Sequence, residues 1–246
     1  MQIITTAIIK GGTGKTATAA ALAQAGAKAG KKVLAIDLDP QANLTVSLGA
    51  NPNKPGAVQL LRGAAAAEAM QETAQQITVI AGHRDLSNER TTPGSAMRLR
   101  AALEPVQNDF DVCIIDTPPT LGELVYNALF ASDGLLIPLE TDTNSLQGLY
   151  QIADIAHQIQ RSNPALQILG IVLTRYDARP KLNRYLHDVI AERGAEVGAH
   201  LLSEIRAGVS VREAAAMQQS LFDYAPHSKP AADYMELYKK IIKTEA

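Results

Sequence analysis

The segment Ile8–Thr18 reads IIKGGTGKTAT. Glycines spaced this closely let a backbone turn its N–H groups inward around phosphate oxygens, and a helix starting directly after them adds the positive potential of its N-terminus. Gly11, Gly12, Thr13 and Gly14 supply such a cradle. Lys15 is placed to reach the β- and γ-phosphates, and the Thr16 hydroxyl to reach Mg²⁺. The general pattern G-x-x-x-x-G-K-[ST] would put its first glycine at position 9, where this chain has Ile9 with Lys10 beside it. One lysine suffices to hold a phosphate, so Lys10 either has a different task or is a solvated loop residue.

Phosphate chemistry also needs acids to hold the metal and position water. Asp116 in CIIDTPPT closes a buried apolar run, and a carboxylate at the C-terminal end of such a strand lies at the ligand crevice of an open α/β sheet. It is the candidate metal acid, acting directly or through water, with Pro118 and Pro119 stiffening the loop behind it. Asp37 and Asp39 in AIDLDPQANLT follow another strand pattern. Read from the residues alone, they are either a second acidic pair or an Asx-type turn capping the helix after Pro40.

These residues need a sheet to carry them. Apolar, β-rich runs at 2–9, 32–37, 77–82, 111–117, 134–140 and 166–174 read as strands buried on both faces, as in a parallel sheet covered by helices. Helical patterns fall at 14–29, 94–105, 121–131, 145–160, 180–193, 210–219 and 229–243, and residues 63–70 read as a further Ala-rich helix. Residues 48–57 form a turn-rich connection. The alternation predicts one doubly wound α/β domain over 1–246, a mostly parallel sheet with helices on both faces.

With 246 residues, 46% hydrophobic and 20% charged, the chain can bury a large core, and 4% aromatic content with no Trp makes that core aliphatic and Ala-rich. A net charge of −2 means that nucleic acid, if bound, is met by a local patch. The single cysteine, Cys113, allows no disulfide within the chain and no cysteine metal site. No positively charged region precedes the first apolar run, and no apolar run approaches the roughly 18 residues of a membrane span, so a cytosolic protein is expected.

The KGGxGK[ST] loop with its extra lysine resembles the deviant Walker A motif of the ParA/MinD family of P-loop ATPases. AIDLDPQ is similar to that family's second acidic motif, and 138–149 and 223–237 also resemble ParA segments, so the likeness spans nearly the whole chain. The resemblance implies an ATPase that uses ATP and Mg²⁺ and dimerises with ATP. Lys10 would reach across the dimer to the partner's nucleotide, where it acts as an arginine finger does. By the same resemblance Asp37 orients the attacking water, Asp39 lies near the metal or the switch loop, and Thr174, Arg175 and the loop around Pro226 meet the adenine.

Among family branches, MinD-like proteins end in an amphipathic membrane helix. Here Tyr234, Leu237, Tyr238, Ile241 and Ile242 lie near one face of the last helix, with Lys239, Lys240 and Lys243 beside it. A helix docked on the sheet shows the same periodicity, and membrane binding is not expected. Lone Cys113 excludes the nitrogenase-type iron proteins. With nine residues before Lys10, the extra N-terminal DNA-binding domain of larger plasmid relatives is not expected. A small ParA/Soj-like ATPase remains: cytoplasmic and nucleoid-associated, binding DNA without sequence preference, released when a ParB-type partner stimulates hydrolysis, and serving plasmid or chromosome segregation. A MinD-like ATPase positioning a membrane-associated or protein cargo is the alternative. The candidate DNA contacts are Arg193, Arg206, Arg212 and Lys229, with Lys181 beside them, and Arg206 and Arg212 bracket an expected helix start.

Overall fold

The computed structural model describes residues 1–89, 94–142 and 145–242. An eight-stranded sheet forms from β1 (Gln2–Thr6), β2 (Val33–Asp37), β3 (Met70–Glu72), β4 (Thr78–Ile80), β5 (Val112–Asp116), β6 (Gly134–Leu139), β7 (Gln167–Tyr176) and β8 (Leu201–Arg206), in the order β3-β4-β2-β5-β1-β6-β7-β8. Every pair is parallel except β3–β4. The helices are α1 (Lys15–Lys28), α2 (Asn43–Ser47), α3 (Ala57–Leu61), α4 (Ala66–Ala69), α5 (Arg98–Leu103), α6 (Glu123–Ala131), α7 (Ser145–Gln160), α8 (Lys181–Glu196), α9 (Ser210–Ala216), α10 (Leu221–Tyr224) and α11 (Lys229–Ile241).

Both faces of the sheet are covered, as continuous apolar strands require. On one face, Ile4, Ala35, Ile114 and Val172 pack with α1 and α11. On the other, Leu34, Ile36 and Ile115 meet α3, α5 and α6, while Ile137 and Leu173 meet α7. Helix α1 is buried on most sides, and its alanines permit that. At Gly26 a Cβ would lie 2.8 Å from a Val33 methyl, so the helix rides directly on β2.

The last helix is docked on the protein. Tyr234, Leu237, Tyr238 and Ile241 are buried among α1 and the sheet, leaving Lys239 and Lys240 outside. The apolar face that could have met a membrane is already used. No helix among the described residues is long and apolar enough to cross one, and Lys243 lies outside the described residues.

Two strands escaped the sequence pattern. β3 has three residues at an antiparallel edge, and β8 is a half-covered edge strand whose polar Ser203, Glu204 and Arg206 break any apolar run. The Ala-rich stretch is helical only over α4, after which Met70 enters β3. The stretch 94–105 holds a short α5 between two single 3₁₀ turns, Ser95–Met97 and Glu104–Val106. The stretch 210–219 holds α9, which stops at Ala216, and α10 follows. Short helices α2 and α3 flank the turn-rich connection.

Because Leu237 is fully buried between α11 and α1, Leu237→Ala should cost about 2–5 kcal/mol. Urea denaturation should show a lower midpoint at unchanged slope. A shift under about 0.5 kcal/mol would mean that α11 is not docked.

Candidate active site

Parallel pairing brings the ends of three strands together. In register, Thr6 of β1 and Asp37 of β2 both lie opposite Asp116 of β5. The glycine loop leaves β1 at the same edge and delivers α1. Gly12 and Gly14 have φ of 78° and 82°, the left-handed region where glycine carries no Cβ penalty. Gly14 is also the N-cap of α1 and offers no side-chain cap, so the first N–H groups of the helix remain available to an anion.

Around that start the polar groups are buried and converge. Thr16 Oγ1 donates to Asp116 Oδ2 at 2.6 Å, and Thr6 Oγ1 to Asp116 Oδ1 at 3.4 Å. Lys15, 6% exposed, donates to the Lys10 carbonyl at 2.7 Å. Burial holds its ammonium below the ordinary lysine range, while Asp116 and Asp39 pull the other way. Asp116 is fully buried, and burial together with the charge of Asp37 pushes its carboxyl up to about 8. The Thr13 hydroxyl is buried and has no hydrogen-bond partner among the described residues. Uncapped helix N–H groups, a buried lysine, an orphaned hydroxyl and a Thr–Asp pair make a donor set that fits a polyphosphate with a divalent cation.

Asp37 and Asp39 divide their tasks differently from the sequence expectation. Asp37 is fully buried, and its carboxylate accepts from Asp39 N at 3.0 Å on Oδ1, and from Thr45 N and Thr45 Oγ1 at 2.8 Å each on Oδ2. Burial raises its pKa to about 6 against the pull of those bonds. Both oxygens of Asp37 thus accept bonds from its own loop and helix, and no part of it is exposed. Asp39 keeps 7% exposure, accepts from Gln41 N at 2.9 Å on Oδ1, and acts on Lys15 through its charge. The Asx-type turns are therefore present together with the acidic cluster.

The Lys10 side chain has its own partners, separate from those of Lys15. Its ammonium lies 2.5 Å from Asp142 Oδ1 and 3.2 Å from Ser145 Oγ at the start of α7, with the side chain a quarter exposed. Thr174 braces the loop from behind, donating to the Thr13 carbonyl at 2.8 Å, with Gly14 closely apposed. Arg175 donates to the Gly12 carbonyl and pairs with Glu140. A cavity of about 390 Å³ opens beside Gly14 and Ala17, walled by Thr174, Arg175, Val209 and Tyr234. Pro226 is exposed and does not line it; the β8–α9 turn from Ile205 to Val209 forms that wall instead. The missing signal was β8 itself, since without that strand the turn has no place.

The surface cations separate into two sets. Arg206 forks onto Asp233, with Nε–Oδ2 at 2.9 Å and Nη2–Oδ1 at 2.5 Å, tying β8 to α11, and Arg193 pairs with Glu196 at 2.6 Å. Both are ion-paired in this structure. Lys181, Arg212 and Lys229 are exposed and have no acidic partner among the described residues. Lys181 follows β7 and Arg212 follows β8. Lys229 precedes Pro230, whose ring sits against Gly208 after β8. All three share the sheet edge that carries the glycine loop.

A family model described as an AAA domain matches residues 1–168. The chromosome partitioning protein ParA of Caulobacter vibrioides is 32% identical over all of this chain and 95% of its own length. An ATP complex of McdA from Cyanothece superposes with a TM-score of 0.87 at 27% identity, covering 100% of this chain and 98% of the other. Cobyrinic acid a,c-diamide synthase of Mycobacterium smegmatis with ADP and magnesium gives 0.81 at 30% identity, covering 97% and 93%.

A carboxyl whose native pKa lies above its unfolded value of about 4 lowers stability as pH rises from the unfolded value to the native one. Asp116, with its pKa near 8, should therefore make the ligand-free protein less stable at pH 9 than at pH 5.5. Asp116→Asn should remove much of that loss, on the order of 1–3 kcal/mol at pH 9. Urea unfolding of both proteins at the two pH values measures it. Equal pH dependence in the variant would mean that Asp116 carries no such strain.

Proposed function

Because the chain belongs to the ParA/MinD family of P-loop ATPases, we propose that it is a DNA-partitioning ATPase that hydrolyses ATP as a switch between a DNA-bound dimer and a released form. The observation that carries this reading is the separation of the two lysines. Lys15 is buried in the loop, while the ammonium of Lys10 is engaged by Asp142 and Ser145 and its side chain stays a quarter exposed. A cation kept there is suited to a nucleotide brought by a second copy of the chain. ParA of C. vibrioides, a chromosome partitioning protein, supports the assignment.

In this reading the N–H groups of Gly11–Thr16 and Lys15 bind the triphosphate of ATP. Thr16 and Asp116 would hold Mg²⁺, which would supply positive charge to the triphosphate. Asp39 takes the water-orienting role expected of Asp37, since Asp37 is fully buried with its carboxylate bonded to its own loop and helix, while Asp39 keeps some exposure. Thr174, Arg175 and the β8–α9 turn receive the adenine in the 390 Å³ cavity. Lys181, Arg212 and Lys229 meet DNA phosphates without reading bases, and a ParB-type partner accelerates hydrolysis and release.

Lys10→Ala should abolish ATP-driven dimerisation and hydrolysis while nucleotide binding by the monomer changes little. Asp39→Asn should slow hydrolysis by roughly 10²-fold and leave an ATP-bound dimer. Sedimentation with ATP and phosphate release measure both. A Lys10→Ala protein that still dimerises with ATP would end the in-trans role.

Two copies double the phosphate contacts, so DNA affinity should rise and steepen with salt on dimerisation. Lys181→Ala with Arg212→Ala should weaken binding to all sequences and remove about four units from the dimer's slope of log affinity against log salt. Anisotropy on random duplex DNA, with ATP and then ADP, reads this beside binding to anionic vesicles. Wild-type protein that binds vesicles and not DNA would favour positioning of a membrane-associated cargo.

A further inference from the structure

The acid proposed to orient water sits on a loop whose shape is fixed by one threonine. Residues 39–44 leave β2 and return as α2. Both ends of this loop are tied to the same carboxylate: Asp39 N donates to Asp37 Oδ1 at 3.0 Å, and Thr45 N and Oγ1 donate to Asp37 Oδ2 at 2.8 Å each. Thr45 N is one of the first-turn N–H groups that a helix cannot satisfy itself, so Asp37 caps α2 through it. Between the ties lies Ala42, with φ of 54°, a left-handed conformation that a non-glycine residue holds only where its surroundings impose it.

The Thr45 hydroxyl makes a second connection. It accepts from Gly82 N at 2.8 Å, which brings in the loop after β4. That approach admits only glycine: a Cβ on Gly82 would lie 2.8 Å from Asp37 Cγ and 2.9 Å from the Asp39 carbonyl oxygen. On the far side, Ala57 N donates to the Ala81 carbonyl at 2.8 Å, and a Cβ on Gly56 would meet that same oxygen at 2.2 Å. Thr45 is fully buried at the junction of β2, α2 and the β4 exit.

Deepening the hydrolysis proposed above, on which it rests, we propose that Thr45 is a positioning residue: its hydroxyl, donating to Asp37 and accepting from Gly82, sets where the 39–44 loop holds Asp39. Nucleotide affinity comes from the glycine loop, Lys15, Thr16 and Asp116, none of which Thr45 touches. Thr45 therefore acts on the rate of hydrolysis and not on binding. The hydroxyl is the working group, so serine replaces it and valine, of nearly the same shape, does not.

The test is steady-state hydrolysis of ATP and equilibrium binding of a fluorescent ADP analogue, with thermal unfolding as a control. Thr45→Val should lower kcat at least ~10-fold, the scale of a displaced reacting geometry, with ADP affinity within about twofold of wild type. Thr45→Ser should return to within about threefold of wild-type kcat. If Thr45→Val does not fold, Gly82→Ala carries the test, because its Cβ displaces the same carboxylate with the hydroxyl intact; the same loss of kcat at unchanged affinity is expected. Wild-type kcat in Thr45→Val, or in Gly82→Ala where that variant stands in, overturns the assignment, as does equal loss of kcat and affinity. Absence of hydrolysis by the wild type sinks the ATPase reading itself, a result separate from any difference among the variants.

Discussion

Two like charges side by side in a dry sheet are the constraint on which this site depends. Asp37 and Asp116 are opposite each other on neighbouring strands, both fully buried, and both have pKa values pushed upward. Burial of a carboxylate is costly unless it is paired or richly hydrogen-bonded. Asp37 is compensated by three hydrogen bonds from its own loop and helix. Asp116 receives one short bond from Thr16 and a long one from Thr6. The difference in compensation separates their roles. The satisfied acid fixes the loop, and the under-compensated acid is the one on which a cation gains most.

Much of this was legible because the residues that do the chemistry also determine the local backbone. Glycines at Gly12 and Gly14 mark positions of positive φ, and Asp116 ends an apolar run because the strand ends there. The central strands β1, β2, β5 and β6 are buried on both faces, so their runs are uninterrupted. β3 and β8 lie at the two edges of the sheet, where one side lacks a neighbour and polar residues are tolerated. Without β8 in the reading, the Ile205–Val209 turn that walls the cavity beside Gly14 was not among the candidates.

The roles of Asp37 and Asp39 illustrate a different limit. Their spacing announces acids where a strand ends; in a continuing strand residues i and i+2 would share one side, but β2 stops at Asp37, so the spacing does not say how the two differ. The inward partners of Asp37 come from Thr45, eight residues on, which is itself bonded by Gly82 from the loop after β4. Arg206 is similar: its sequence position is that of a surface cation, and its pairing with Asp233 becomes visible only when α11 packs beside β8. Charge type was readable and charge partner was not, because partners come from tertiary contacts.

The Lys10–Asp142 pair is a weak hold on its cation. With Lys10 25% and Asp142 36% exposed, the pair lies where solvent screens most of its Coulomb energy, and such pairs contribute about 0–1 kcal/mol. Asp142 does not depend on the lysine, since it also accepts from Ser145 N at 3.1 Å and Ser145 Oγ at 2.8 Å. Releasing Lys10 therefore leaves no buried acceptor unsatisfied. A triphosphate offers a far denser negative charge, and a guest nucleotide at a protein–protein contact is screened less than a surface carboxylate. In the proposed dimer the exchange of partners runs toward the nucleotide, and loss of its terminal phosphate weakens that hold and returns Lys10 to Asp142. The same lysine then has two partners of unequal strength, and hydrolysis decides between them.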